Sequence, residues 1–342
     1  MPHKAIFFGL KSLGKGKEYI IESEVLKSAG IEIGFEEAPL SKDHLPANKD
    51  FDIAGVFVDS AIDADVIAAL PNLKAIATFS TGFDHIDLAA CAARDIVVSS
   101  VPSYGENTVA EFTFALILAL SRKIWEAVNR VKIENQFTPD GLSGFDLVGK
   151  TIGVAGTGRI GKHVIRIAKG FSMNVIAYDV FHDDAFAKEM AFPYVSLEEL
   201  FAQSDIITLH VPNLPSTHHL INKSNIGLIK KGAYIINTAR GTVIETPALV
   251  EALKSGQLGG AGLDVLEEES NMKEGDMSPC KELIAMPNVI MTPHTAFNTQ
   301  EAFQRIIDTS IDNIVNFEKG TPTNVVTAVI PSSPLISNTY KK

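Results

Sequence analysis

Cysteine is scarce in this chain, with only Cys91 and Cys280 among 342 residues. Neither belongs to a Cys-x-x-Cys pair or a Cys/His cluster, so the sequence predicts no disulfide framework, no zinc centre and no other metal site. Unpaired thiols suit a reducing, cytoplasmic compartment. Positive charge is also short: 30 Lys and Arg face 41 Asp and Glu, a net charge of −11. Nucleic acid and anionic membranes are held chiefly through Lys and Arg excess, so neither is expected as a partner. Long apolar runs are missing as well. The most apolar stretch, residues 109–120, contains Glu111 and falls short of the ~20 residues that span a bilayer; it predicts a buried helix. The start, Met1-Pro2-His3-Lys4 and then residues 5–8, is strand-like and lacks the apolar region of a secretion signal.

What is present describes a folded enzyme-sized chain: 46% hydrophobic, 21% charged and 8% aromatic residues, long enough for two domains of about 100–200 residues each. Short apolar runs at 5–8, 54–58, 75–79, 151–155, 175–178, 206–209, 234–237, 260–263 and 289–291 alternate with helix-period segments. That alternation predicts α/β architecture with parallel sheets. Ser196 with Glu199 reads as a capping box, and Thr246 before Pro247 as a helix N-cap. The glycine- and proline-bearing segment 135–149 interrupts the pattern, and a new folding unit is expected from Thr151. Residues 332–342 read as a loosely held tail.

The run 151–155 leads directly into Gly156-Thr157-Gly158-Arg159-Ile160-Gly161, then a helical stretch 162–171 and a second strand that ends at Asp179. This order matches the dinucleotide fingerprint. The first glycine permits the tight turn, the second lets backbone approach the pyrophosphate, and the third lets helix and strand pack closely. The helix N-terminus offers the phosphates its unpaired N–H groups and a favourable dipole. Asp179 would accept hydrogen bonds from the ribose hydroxyls and repel a 2′-phosphate, which predicts NAD in preference to NADP. The alternative for Asp179 is a turn residue at a strand end.

In open parallel sheets, ligands bind beyond the carboxyl ends of the strands. Arg240 follows the run 234–237, Asp264 and Glu269 follow 260–263, and His294 follows 289–291. An imidazole, a carboxylate and a guanidinium at one edge suit oxidation of a 2-hydroxy acid. Histidine takes the hydroxyl proton as hydride leaves C2. Glu269 orients the ring and favours its protonated form. Arg240 offers a planar fork to a carboxylate. Taken singly, Arg240 could equally pair with a structural acid, Glu269 be a solvated loop charge and His294 a turn residue; the three together, beside a cofactor motif, favour catalysis.

These residues resemble the D-isomer-specific 2-hydroxyacid dehydrogenase family, and within it the D-lactate dehydrogenase branch. The resemblance covers nearly the whole chain. It rests on Ser80-Thr81-Gly82-Phe83-Asp84, Val101-Pro102-Ser103-Tyr104, the glycine motif, His210-Val211-Pro212, Asn237-Thr238-Ala239-Arg240-Gly241, Gly262-Leu263-Asp264-Val265 with Glu269, and Thr292-Pro293-His294. It implies two doubly wound parallel-sheet domains, a flavodoxin-like substrate domain from residues 1–101 and 295–342 and a Rossmann NAD-binding domain from 102–294. It further implies Arg240 for substrate, His294 as acid/base with Glu269 as its partner, and the Thr81 and Gly82 amides as carboxylate donors. By the same resemblance Tyr104 lines the substrate pocket, Asp264 and Thr238 face the nicotinamide carboxamide, and His210, Val211 and Pro212 run beside the adenosine half. His85 stands where many relatives carry Asn. The apolar residues Phe112, Phe114, Leu116 and Ile117 resemble the segment that pairs subunits, which implies a homodimer, although core packing accounts for some of them.

The expected reaction is reduction of pyruvate by NADH. Glyoxylate, hydroxypyruvate and bulkier branched 2-oxo acids such as 2-oxoisocaproate stand as alternatives. A further alternative, from a different class, is an NAD(H)-sensing regulatory protein on the same fold.

Overall fold

The computed structural model describes residues 3–10, 16–267, 269 and 277–326; the expected tail and Glu268 lie outside them. The chain divides into two compact units, one drawn from residues up to Tyr104 and from Thr299 onward, the other Gly105–Asn298.

The first unit holds five strands, β1 (Lys4–Phe8), β2 (Glu32–Glu36), β3 (Ile53–Val56), β4 (Ala75–Thr78) and β5 (Val97–Ser99). Every pairing is parallel, in the order β2-β1-β3-β4-β5, which is the flavodoxin-like arrangement. All residues of β3 and β4 are buried, so they read as unbroken apolar runs, as strands covered on both faces do. The helices Ala64–Ala69 and Leu88–Ala93 begin where Asp63 and Asp87 accept hydrogen bonds from the amides of Val66 and Ala90. The helix Gln300–Glu318, capped by Thr299, packs against β4. Its buried Asn313 donates to the Ser100 carbonyl at 2.9 Å and accepts from Thr323 and Asn324.

The second unit holds β6 (Thr151–Ala155), β7 (Asn174–Tyr178), β8 (Ile206–Leu209), β9 (Ala233–Asn237), β10 (Leu258–Leu263) and β11 (Val289–Met291). These strands are likewise parallel, in the order β11-β10-β9-β8-β6-β7. A single parallel bridge from Ala177 to Tyr194 extends the sheet beyond β7. With that bridge taken as a vestigial third strand, the order is that of a Rossmann sheet. The predicted capping box is present, with Ser196 and Glu199 each accepting from the other's amide.

Four sequence readings need correction. First, β2 and β5 escaped the apolar-run search: Glu32, Gly34 and Glu36 break up β2, and β5 is only three residues long. Second, the segment 135–149 is a loop inside the second unit and starts no new one, because the helix Glu106–Ser121 before it packs on the helix Arg159–Gly170 and on β10. Third, Thr246 lies within the helix Thr246–Lys254, and Glu245 precedes it at the N-cap. The exposed helix end is instead satisfied from a distant loop, since Glu267 accepts from both the amide and the hydroxyl of Thr246. Fourth, of the apolar residues read as a pairing face, Phe114, Leu116 and Ile117 are buried in the unit's own core, while Phe112 is only partly buried and packs against it. No helix among the described residues is long and apolar enough to cross a membrane.

Candidate active site

Each cofactor or chemistry residue read from the sequence of the second unit lies after the carboxyl end of a strand. The glycine turn follows β6. Gly156 takes a left-handed φ of +95°, and a Cβ there would meet the His210 carbonyl oxygen at 2.6 Å. A Cβ on Gly161 would lie 2.0 Å from the Gly156 carbonyl oxygen, so only glycine lets helix and turn close together. Gly158 caps the helix Arg159–Gly170 without any side-chain bond, and a Cβ on it would meet nothing within 4 Å. An open helix N-terminus bordered by bare backbone is what a pyrophosphate requires. The residues present therefore fit a dinucleotide. Ile160 packs into the core, and the Arg159 guanidinium lies 3.8 Å from Glu106.

Asp179, just past β7, is fixed from both sides. One oxygen accepts from the Thr157 amide at 2.6 Å and the Thr157 hydroxyl at 3.0 Å, and the other accepts from the Phe181 amide. His210 follows β8 with both ring nitrogens buried and without a hydrogen-bond partner, and burial pushes its pKa down to about 3. An orphaned neutral imidazole of this kind invites a polar ligand group. Val211 packs on the core, while Pro212 is exposed.

After β9, Asn237 shapes the next turn by donating to the Arg240 carbonyl and accepting from the Ala239 amide. Thr238 is buried, with its hydroxyl 3.0 Å from that of Thr113. The Thr113 proton goes to the Val109 carbonyl, so Thr238 must donate to Thr113, which leaves its oxygen as an acceptor. After β10, the buried Asp264 accepts from Thr292, Thr295 and Ala296. Burial outweighs those bonds and raises its pKa. Asp264 thereby holds the loop carrying His294, whose own amide donates to the Asp264 carbonyl at 2.8 Å.

His294 Nδ1 lies 2.9 Å from Glu269 Oε1. Glu269 Oε2 accepts from the Leu266 amide. Burial acts to raise the Glu269 pKa, but His294, the Leu266 amide and the Arg240 charge outweigh it and leave the carboxyl below its ordinary value. Imidazole, carboxylate and guanidinium thus share one electrostatic neighbourhood. Nε2 of His294 has no hydrogen-bond partner among the described residues.

In the first unit, Thr81 and Gly82 follow β4, and the half-buried Tyr104 follows β5. The Thr81 hydroxyl donates to the Val101 carbonyl at 2.7 Å. A relay fixes the Gly82 peptide: the Ser80 hydroxyl donates to the Gly82 carbonyl at 2.6 Å, Thr78 lies 2.7 Å from Ser80, and His85 Nε2 lies 3.2 Å from Thr78. Each hydroxyl has one proton, so Thr78 donates to Ser80 and His85 Nε2 must donate to Thr78. His85 therefore anchors this loop. Sequence reasoning missed Thr78, and it also missed His218, His219 and Glu267, whose metal-binding atoms gather within 4.8 Å in the second unit. Glu267 is 48 residues from His219, too far for any local motif to reveal.

Comparison with known proteins shows the family. The D-isomer specific 2-hydroxyacid dehydrogenase NAD binding domain matches residues 114–296. The chain is 40% identical to 2-hydroxyacid dehydrogenase A of Aspergillus oryzae over 295 residues, covering 84% of each protein. It is 36% identical to a glyoxylate reductase of Korarchaeum cryptofilum over 309 residues, 89% of this chain and 91% of the relative. Among solved structures, D-lactate dehydrogenase from Aquifex aeolicus, complexed with NAD and lactic acid, superposes with a TM-score of 0.84 at 35% identity, covering 96% of this chain and all of that one. The chain belongs to the D-isomer-specific 2-hydroxyacid dehydrogenase family, NAD-dependent oxidoreductases acting on the CH–OH group of 2-hydroxy acids.

Proposed function

We propose that this chain reduces pyruvate to D-lactate with NADH, using His294, Glu269 and Arg240 as its catalytic residues. The observation that carries the reading is the 2.9 Å bond between Glu269 and His294 Nδ1, which leaves Nε2 for substrate. NADH, when bound, supplies the hydride that C2 of the oxo acid accepts. The protonated His294 Nε2 gives its proton to the C2 oxygen, so pyruvate, NADH and one proton yield lactate and NAD+. Glu269 stabilises the imidazolium before transfer and holds the ring in orientation. Arg240 pairs with the substrate carboxylate and polarises the oxo group. In the reverse direction the neutral imidazole takes the hydroxyl proton.

On this reading, residues 1–101 and 295–342 form the substrate domain, in which the Thr81 and Gly82 amides donate to the carboxylate and Tyr104 lines the pocket. Residues 102–294 form the cofactor domain. Gly156, Gly158, Arg159, Ile160 and Gly161 hold the pyrophosphate, and Asp179 reads the ribose hydroxyls. His210, Val211 and Pro212 flank the adenosine half, and Thr238 and Asp264 face the carboxamide. The glyoxylate reductase relative makes glyoxylate the second substrate to test. Two buried free thiols support a reducing, cytoplasmic setting.

We place the homodimer contact on the helix Ile124–Lys132 and the loop after it. Ile124, Val128 and Val131 lie on one face, and Trp125, Ile133 and Phe137 are 61%, 72% and 97% exposed. A stripe of this kind favours a partner. Steady-state NADH oxidation with pyruvate, glyoxylate, hydroxypyruvate and 2-oxoisocaproate, with chiral analysis of product, tests the assignment. Highest kcat/KM with pyruvate and a D-product are expected. Preference for another acid shifts the substrate, and no turnover with any of them favours an NAD(H)-sensing protein.

A further inference from the structure

Next to the proposed catalytic residues, but sharing none of them, the second unit brings two consecutive imidazoles to a carboxylate. His218 and His219 lie in the loop after β8, and Glu267 in the loop after β10. One nitrogen or oxygen from each lies within 4.8 Å of the other two.

The backbone holds this cluster in place. The His218 amide donates to the Leu214 carbonyl at 2.9 Å, the His219 amide to the Thr242 carbonyl at 2.8 Å, and Asn222 donates to the His219 carbonyl at 2.8 Å. His219 has a left-handed φ of +50°, a conformation that costs energy for a residue with a Cβ and persists only where its surroundings enforce it. The two rings lie with centroids 3.9 Å apart. On the carboxylate, Oε2 is committed to the Thr246 amide and hydroxyl, which leaves Oε1 aimed at His219 Nε2, 2.5 Å away.

A structural hydrogen bond accounts for His219 and Glu267. It does not account for His218, which is exposed and whose ring nitrogens have no hydrogen-bond partner among the described residues. Two imidazoles and one carboxylate form a donor set of intermediate softness. Zn2+, Ni2+, Co2+ and Cu2+ favour such a set, whereas Mg2+ and Ca2+ favour oxygen alone. We propose that His218, His219 and Glu267 form a binding site for a divalent transition-metal ion, with water completing its shell on the exposed His218 side. His219 Nε2 and Glu267 Oε1 lie only 2.5 Å apart, and each would bond such an ion at about 2.0–2.2 Å, so the two side chains part to admit the ion, which displaces the proton between them. The ion clamps the loop after β8 to the loop after β10 and to the start of the helix Thr246–Lys254.

The test uses the full chain, freed of metal by chelation, without nicotinamide or substrate, so that its outcome is independent of the proposed activity. Zinc chloride is titrated calorimetrically in a non-coordinating buffer, and the visible spectrum is recorded with cobalt chloride. One ion per chain is expected, with at least about tenfold weaker binding in His218→Ala and loss of the cobalt ligand-field bands. His44→Ala, which removes an exposed histidine of the other unit, is expected to bind as the parent does. Melting without metal verifies that His218→Ala folds; if it does not, His218→Gln takes its place. Parent-like affinity in the His218 variant, an equal loss in His44→Ala, or the absence of one-to-one binding overturns the proposal.

Discussion

Gly241 passes so close to Leu266 that a Cβ on it would lie 1.9 Å from the Leu266 carbonyl carbon and 2.3 Å from the Glu267 nitrogen. The turn that carries Arg240 is therefore seated on the backbone leading to Glu269. Gly241→Ala must push these loops apart, because the obstructing atoms are main chain. The expected cost is roughly 1–3 kcal/mol of stability together with a fall in kcat/KM of about 10²-fold, the scale expected when catalytic groups shift by an ångström. Thermal melting and steady-state kinetics check both, and parent-like activity would separate the Arg240 turn from catalysis.

His294→Ala should lower kcat by about 10²–10⁴-fold, the usual contribution of a positioned acid/base. The affinity for NADH, measured by fluorescence titration, should change little, since the glycine turn after β6 is untouched. Retained turnover would refute the acid/base role.

His210 gives a dependence on pH. Its folded pKa of about 3 lies below the ordinary ~6.5, so between these values the unfolded chain binds a proton that the folded chain does not. Stability rises with pH in that window and is lost as pH falls through it, by about 1.4 kcal/mol per unit from this residue. Urea unfolding at pH 7, 6 and 5 should show a gap between His210→Gln and the parent that narrows or inverts toward the acid side. A gap constant with pH would mean that the ring is not held neutral.

On the proposed reading, in which the Asp179 carboxylate repels a 2′-phosphate, Asp179→Ala should raise the ratio of NADPH to NADH efficiency by about tenfold or more. The Thr157 amide and hydroxyl lose their acceptor as well, so efficiency with NADH should itself fall. An unchanged ratio would mean that another residue discriminates between the cofactors.

His85→Ala removes the first donor of the relay through Thr78 and Ser80 to the Gly82 carbonyl. The expected signature is a severalfold rise in KM for the 2-oxo acid with kcat much less affected. A fall in kcat with unchanged KM would place His85 in the chemical step and not in the binding loop.

The sequence made legible whatever is local. β6, its glycine turn and the following helix form one contiguous run, and Ser196 with Glu199 satisfy a rule that spans a single turn of helix. Relations set by tertiary packing were not legible. Glu267 and Glu269 belong to the same acidic run, yet one caps the helix at Thr246 while the other orients His294. Nothing in their spacing separates these fates, because the partners lie 21 and 25 residues away, one at the start of a helix and the other in the loop after β11. The apolar helix Glu106–Ser121 was identified correctly as buried. Phe114, Leu116 and Ile117 of that helix lie in the core, and the sequence could not separate core from pairing face because hydrophobicity marks burial without saying which surface does the covering.

Asn313 bonds a carbonyl that lies 213 residues earlier in the chain. During synthesis the segment Gly105–Asn298 has every strand of its sheet before the helix bearing Asn313 has been made, so the later-numbered unit can finish folding first. The opening hundred residues must meanwhile wait, with β4 lacking the helix that covers it. A chain cut short just after Asn298 would keep its glycine turn and His294, yet leave an apolar sheet face bare and at risk of aggregation.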